Sequence, residues 1–157
     1  MSIKIIAIGQ KMPAWIEAGF LEYHKRLSSD WWRTTLIELP LAPRSKNSHK
    51  AQLVAKEAES LSAALRPNET LIALDERGLC FTTQTLANQL KSFANTGQPI
   101  SFVIGGPDGL APSITQQATA LWSLSSLTLP HPLVRVLLIE QLYRAYSLLH
   151  HHPYHRE

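Results

Sequence analysis

The sequence predicts an α/β fold, a parallel β-sheet with helices on both faces. Three observations carry that expectation. Short apolar runs alternate with helix-length amphipathic stretches along the whole chain. Several runs open into loops rich in glycine and proline, among them Gly9-Gln10-Lys11-Met12-Pro13 and Gly105-Gly106-Pro107-Asp108-Gly109. No repeat, low-complexity linker or composition break divides the 157 residues, so one domain spanning 1–157 is expected.

The elements follow in order. Residues 3–8 (IKIIAI) read as a first strand and 13–27 as an amphipathic helix, with Pro13 suited to its first turn. Residues 34–39 (TTLIEL) make a second strand, which leads into a basic loop. Alanines and leucines recur at helical spacing over 48–65, and 70–74 (TLIAL) is a third strand stopping at Asp75-Glu76-Arg77-Gly78. A helix over 83–94 begins with threonines at its N-cap. Ile100–Ile104 is a fourth strand, 113–120 a short helix introduced by Pro112, 122–129 a fifth extended segment and 132–149 the last helix.

Composition narrows the class. Hydrophobic content of 45% with 17% charge is ordinary for a soluble globular chain. The single cysteine, Cys80, has no intrachain partner, which favours a reducing compartment and an inert thiol. The start, MSIKIIAIGQ, suits a strand better than a signal peptide, and no apolar run approaches the ~20 residues of a membrane span. A cytoplasmic protein without membrane contact is expected. The net charge of +3 comes from the first 70 residues, which carry ten Lys/Arg against seven Asp/Glu. It is densest at 43–50, where Arg44, Lys46 and Lys50 meet no acid. Such a loop can bind phosphates, or it can be an ordinary solvated loop.

Ligands of open α/β sheets sit beyond the carboxyl ends of the strands. Three strand ends stand out: Leu74-Asp75, Gly105-Gly106 and residues 125–129. The sequence lacks GxGxxG after its first strand, and it lacks GxxxxGK[ST] and GxSxG. Dinucleotide binding, P-loop chemistry and serine hydrolysis therefore lose their usual signatures. Paired glycines can admit a ligand against the backbone, though a tight turn accounts for the same residues. Residues 122–129 fit either a half-buried strand or an irregular loop whose backbone polar groups could bind a flat heterocycle such as adenine.

The last helix is apolar nearly all round, broken by Arg135, Glu140, Gln141 and Arg144. A helix of that kind is buried or shared with a second subunit, and the subunit interface is the expectation. Glu140 and Arg144 can pair at i,i+4, or Arg144 can face a phosphate. The histidines of the tail lack helical spacing and nearby cysteines, so no metal site is expected. Tyr154, His155 and Arg156 can supply stacking, proton transfer and phosphate contact, with a frayed terminus as the plain alternative.

Together, GQKMPAW, IGGPDGL, WSLSSLTLPHPLVRVLLIEQLYRAYS and the terminal HPYHRE resemble the bacterial large-subunit ribosomal RNA pseudouridine-N3 methyltransferase family. That family belongs to the SPOUT class of S-adenosylmethionine enzymes, and the resemblance covers essentially the whole chain. It implies a parallel-sheet SPOUT fold with a C-terminal trefoil knot, an arrangement that general topology rules disfavour. It implies a homodimer that methylates N3 of a pseudouridine in 23S rRNA, on the assembled 70S ribosome, with no metal. By motif, S-adenosylmethionine contacts fall on Leu74, Gly105, Gly106, Leu124, Ser125, Ser126, Leu127, Thr128 and Leu129, with His131 and Pro132 closing the loop. Arg44, Lys46 and Lys50 are the expected RNA contacts. For catalysis, His155 is the candidate base. Arg144 and Arg156 would steady developing negative charge or a phosphate, with Tyr154 beside them. The tail is expected to reach the partner's pocket. Two departures are noted: the family often has Glu where Asp108 stands, and the triple histidine before Pro153 is local to this chain. Two other readings remain open from the residues alone. A non-enzymatic ribosome-associated RNA-binding protein would have no need of the Gly105-Gly106 crevice, and a small nucleotide hydrolase would need a phosphate loop.

Overall fold

Alternation along the strands decides which helix covers which face. The computed structural model describes residues 1–27 and 32–155. Its elements are β1 Ser2–Ile8, α1 Ala14–His24, β2 Arg33–Leu39, α2 Lys50–Ala64, β3 Thr70–Cys80, α3 Thr83–Thr96, β4 Ile100–Ile104, α4 Pro112–Gln117, β5 Ala120–Ser123 and α5 His131–Leu149. The five strands form one sheet in the order β2-β1-β4-β3-β5. Every pairing is parallel, as expected.

Side chains of β1 separate by parity. Ile3, Ile5 and Ala7 join Phe20 of α1, Leu90 of α3 and Leu138 of α5 in one core cluster. Ile6 and Ile8 join Val54 and Leu61 of α2 and Ile114 of α4 in a second cluster on the opposite face. The central strand β4 (ISFVI) is buried throughout, which is why it reads as a continuous apolar run. Helix α3 has the threonine cap its sequence suggests: the Thr85 N–H donates to Thr82 Oγ1 at 3.2 Å. It stops at Gly97, whose φ of 69° is left-handed.

Several boundaries differ from the sequence expectation, beginning with α1, which gives way at its end to a 3-10 turn over Lys25–Leu27. Strand β3 continues past Leu74 to Cys80 by way of a bulge, with Leu74 and Leu79 both pairing with Trp122. Residues 75–78 are thereby extruded. Gly78 makes the return possible, since a Cβ there would stand 2.5 Å from the Trp122 carbonyl carbon. Strand β5 begins at Ala120 and ends at Ser123, so residues 124–129 form a loop rather than a strand. Local bonds from serine hydroxyls replace the ladder there, with Ser123 Oγ donating to Ser125 O (2.7 Å) and Leu127 N–H donating to Ser125 Oγ (2.9 Å). The short helix α4 ends at Gln117.

No residue of α5 is fully exposed, in keeping with its apolar surface. Nearby on α1, Trp15 and Leu21 remain 63% and 58% exposed. Among the described residues, no helix is long and apolar enough to cross a membrane.

Candidate functional site

The carboxyl ends of β3, β4 and β5 open into one cleft of about 1060 Å³. Its walls include the extruded Asp75, Glu76 and Arg77, the loop from Gly105 to Leu110, and the loop leading from β5 to α5. Of the expected cofactor contacts, Leu74, Gly105, Gly106, Leu124, Ser125, Leu127, Thr128, Leu129 and His131 line it. Ser126 and Pro132 lie between lining residues of the same segment. The three strand ends picked out from the sequence therefore converge on one cavity.

The glycines are needed for a reason other than ligand approach alone. A Cβ on Gly105 would meet Gly109 O at 2.6 Å, and one on Gly106 would meet Ile8 Cγ2 at 3.0 Å and Leu41 Cδ1 at 3.1 Å. The turn is closed by the Gly109 N–H donating to Gly106 O (3.0 Å), with Gly109 at φ 78°. These residues fold the loop back on itself and onto β1.

Charge in the cleft is ordered. Arg77 binds Asp75 through both side-chain oxygens at 2.9 Å, and this pairing holds the Asp75 carboxyl below its ordinary range against the opposing effect of burial. Thr128 Oγ1 donates to Glu76 across the mouth at 3.4 Å. Burial, then the positive charges of Arg135 and Arg44, depress the His131 pKa below its usual 6.5, so its imidazole is neutral at pH 7. Lys50 of α2 lines the same cavity.

Two charged residues beside this cleft were not singled out as site residues from the sequence. Arg135 is only 1% exposed. Its guanidinium donates to Glu38 Oε2 (2.6 Å), Ile8 O (3.0 Å) and Gly9 O (2.7 Å), so it caps the end of β1 next to the cleft. Glu57 is 3% exposed and accepts the Ala42 N–H at 3.1 Å, while its Oε2 is buried without a hydrogen bond. Both sit on apolar stripes at i, i+3, i+4 and i+7: Val54, Glu57, Ala58, Leu61 and Arg135, Leu138, Ile139, Leu142. That spacing was the available signal.

The expected RNA contacts divide. Arg44 is paired with Asp108 of the glycine loop at 2.6 Å, Lys46 is exposed, and Lys50 faces the cleft.

The expected catalytic residues gather elsewhere. Arg144 donates to Glu140 Oε1 through Nε (2.9 Å) and Nη2 (2.6 Å), and the Tyr154 hydroxyl donates to the same oxygen at 3.0 Å. The Arg144 guanidinium also lies 5.0 Å from the Tyr154 ring centroid. Burial first, then hydrogen bonds to Tyr23 and Glu140, push the Tyr154 phenol upward, so it is a donor rather than a base. His155 Nδ1 lies 2.9 Å from Ser147 Oγ. Arg156 falls outside the described residues. Helix α5 starts at the cleft, and the tail folds back along it, with Tyr154 on Glu140 and His155 on Ser147. At 1.5 Å per residue those two partners stand roughly 14 and 24 Å along the axis from His131. Among the described residues, no group of three or more His, Cys, Asp and Glu side chains is arranged to hold a metal ion.

The cleft's size, apolar walls and ordered carboxylates fit a nucleoside-bearing cation such as S-adenosylmethionine. Comparison with known proteins agrees with that class. A family model described as a predicted SPOUT methyltransferase matches residues 1–155. A protein of Acinetobacter baylyi named ribosomal RNA large subunit methyltransferase H is 52% identical over 159 residues, covering 99% of both chains. One of the same name from Nitrosococcus oceani is 51% identical over 156 residues, again covering 99% of each. Among solved structures, a probable methylase family protein from Haemophilus influenzae aligns with a TM-score of 0.57 at 15% identity, over 99% of this chain and 70% of that one. A putative methylase family protein from Neisseria gonorrhoeae aligns with a TM-score of 0.53 at 17% identity, over 96% and 93%. These two likenesses concern the fold.

Proposed function

Because this chain belongs to the SPOUT methyltransferase family, we propose that it methylates large-subunit ribosomal RNA from S-adenosylmethionine bound in the cleft. The acceptor we assign is N3 of a pseudouridine in 23S rRNA of the assembled 70S ribosome, in the cytoplasm. The observation that carries the reading is the convergence of Leu74, Gly105-Gly106 and residues 124–131 on one cavity, in a chain about half identical to named ribosomal RNA methyltransferases. A non-enzymatic RNA-binding role leaves that convergence without purpose.

Bound S-adenosylmethionine supplies a methyl group on a positively charged sulfur. The chain's own residues supply the rest. Leu74, Leu124, Leu127 and Leu129 give apolar contact to the adenosine. Neutral His131 would add no cation to the cleft, and Asp75, its charge balanced by Arg77, would offer a hydrogen-bond acceptor at the wall. Orientation of methyl donor against acceptor provides much of the acceleration.

N3 of a pseudouridine must lose its imide proton as the new bond forms. We assign that proton to His155, whose Nδ1 is held by Ser147, leaving Nε2 as the acceptor. Arg144 and Arg156 steady the developing negative charge on the base or an adjacent phosphate. Tyr154, a permanent donor, fixes Arg144 through Glu140. Lys46 and Lys50 meet rRNA phosphates.

This assignment requires a homodimer. In this reading the tail, held on Glu140 and Ser147 well past the first turn of α5, serves the cleft of a second copy. Half-buried apolar residues on α5 and exposed Trp15 and Leu21 on α1 offer surface for that contact. The C-terminal third, in this reading, is threaded as a trefoil knot.

The test uses purified protein, tritiated S-adenosylmethionine and 70S ribosomes from cells lacking the gene. Tritium recovered on N3 of a pseudouridine in 23S rRNA is the expected result. Saturable cofactor binding with no label in 23S rRNA would overturn the acceptor, and absence of cofactor binding would overturn the cleft assignment.

A further inference from the structure

The loop that joins β2 to α2 is fastened to the glycine loop of the cleft at three points. Leu41 Cδ1 lies 3.1 Å from where a Cβ would stand on Gly106. The Ala42 N–H donates at 3.1 Å to Glu57 Oε1, and Glu57 Oε2 lies 3.5 Å from the same Gly106 position. Arg44 Nη2 pairs with Asp108 Oδ2 at 2.6 Å, with the two side chains 35% and 22% exposed. The residue with the strongest claim to an RNA phosphate in the basic segment is thus already committed to the cofactor side.

We propose that Arg44 is a positioning residue for the cofactor cleft, acting through Asp108 on the Gly105–Gly109 turn, rather than a phosphate contact. The inference rests on S-adenosylmethionine occupying the cleft. Its physical basis is the turn itself. Gly105, Gly106 and Gly109 have no side chains with which to hold their own conformation, and a glycine-rich segment gains the most from external restraint. Pro107 and Asp108 are the residues of the turn with side chains, and Asp108 is the one that carries a charge. Arg44 holds it as an ion pair at 2.6 Å rather than as a hydrogen bond, since Asp108 Oδ2 is buried without a hydrogen-bond partner. Glu57 holds the loop two residues before Arg44 through the Ala42 N–H, and its Oε2 reaches the Gly106 position. Burial raises the Glu57 pKa, with Arg44 pulling it down and Asp108 pushing it up, so all three groups share one electrostatic environment. Lys46 and Lys50 remain for RNA. One loop thereby does two jobs: its first part braces the cofactor turn and its second part meets the substrate.

The test is a double-mutant cycle on the full-length protein, using Arg44→Ala, Asp108→Asn and the double variant. Cofactor affinity is measured by calorimetry, and the KM for 70S ribosomes is measured separately. Each single variant is expected to weaken S-adenosylmethionine binding by about five- to tenfold. The double variant should be no worse than either alone, because one interaction is lost in all three. Ribosome KM should be unchanged, and Lys56→Ala, an exposed cation on the same helix as Glu57, should alter neither quantity. Arg44→Ala with intact cofactor affinity and a raised ribosome KM would overturn the proposal and make Arg44 a phosphate contact. Losses that multiply in the double variant would also overturn it. Amide exchange in the ligand-free protein provides an arm independent of the cofactor. Faster exchange at Gly106, Asp108 and Gly109 in Arg44→Ala supports the brace, and unchanged exchange sinks it. Failure of the wild-type protein to bind S-adenosylmethionine would overturn the cleft assignment instead, and the exchange arm separates that failure from a failure of the brace.

Discussion

Glu57 is a carboxylic acid set almost wholly inside the protein, with one oxygen on the Ala42 N–H. Burial is the largest influence on its carboxyl and raises its pKa. An acid whose pKa is raised on folding favours the folded state while it is protonated, below its ordinary value. That contribution is lost as pH rises through the raised value. Glu57→Gln keeps an oxygen able to accept the Ala42 N–H and removes the buried charge. We therefore expect its melting temperature to exceed the wild type's at pH 8 and the difference to shrink toward pH 4, as read by calorimetry across pH. A variant equally stable at both ends would contradict this account. Residues at strand ends, such as Leu74 and Gly105, could be found from sequence because position in an α/β sheet implies exposure to a crevice. Glu57 and Arg135 were harder, since a charge is ordinarily taken as solvated. Their positions on an i, i+3, i+4, i+7 stripe outrank that default. The glycines were found for an incomplete reason, because their tightest neighbours belong to the protein itself.

Element boundaries fail where two structures share one vocabulary. Asp75-Glu76-Arg77-Gly78 contains the residues of a turn, and a bulge inside a strand uses the same ones. The sequence could not tell that Leu79 returns to pair with Trp122. The polar-apolar alternation after Trp122 was equally ambiguous: Leu124 packs on the core as a loop residue, where a strand residue would serve as well. Elements such as β1, β4 and α3 posed no such problem, since their apolar pattern is regular and α3 carries its threonine cap. The bulge makes a prediction at this scale. A methyl group on Gly78 would fall 2.5 to 2.8 Å from backbone atoms of Trp122 and Leu121, which cannot swing aside as a side chain can. Gly78→Ala is expected to cost about 1–3 kcal/mol in chemical denaturation, and to weaken cofactor binding by shifting Asp75–Arg77. Wild-type stability would show that β3 does not cross β5 so closely in solution.

At the scale of the whole molecule, the placing of the tail is decisive. A tail anchored on Glu140 and Ser147, roughly 14 to 24 Å along α5 from His131, is assigned to the cleft of a second chain, and this yields a test by mixing. A chain truncated after Pro153 retains its cleft, and Gly105→Ala retains its tail. Each alone should be inactive on ribosomes. Mixed and allowed to exchange subunits, they should regain part of the wild-type rate, because one site per mixed dimer is complete. No recovery, with exchange confirmed by mass, would refute the shared site. The strand order also governs how the chain comes into being. Strand β4 is made after β1, β2 and β3, yet it stands between β1 and β3, pairing Ile3 with Ile100 on one side and Thr70 with Ile100 on the other. During synthesis β1 can find β2, but β3 has no neighbour until the later strands arrive. The nascent polypeptide must keep two open strand edges apart while it waits for the piece that fits between them. Its period of greatest exposure to aggregation thus precedes release from the ribosome.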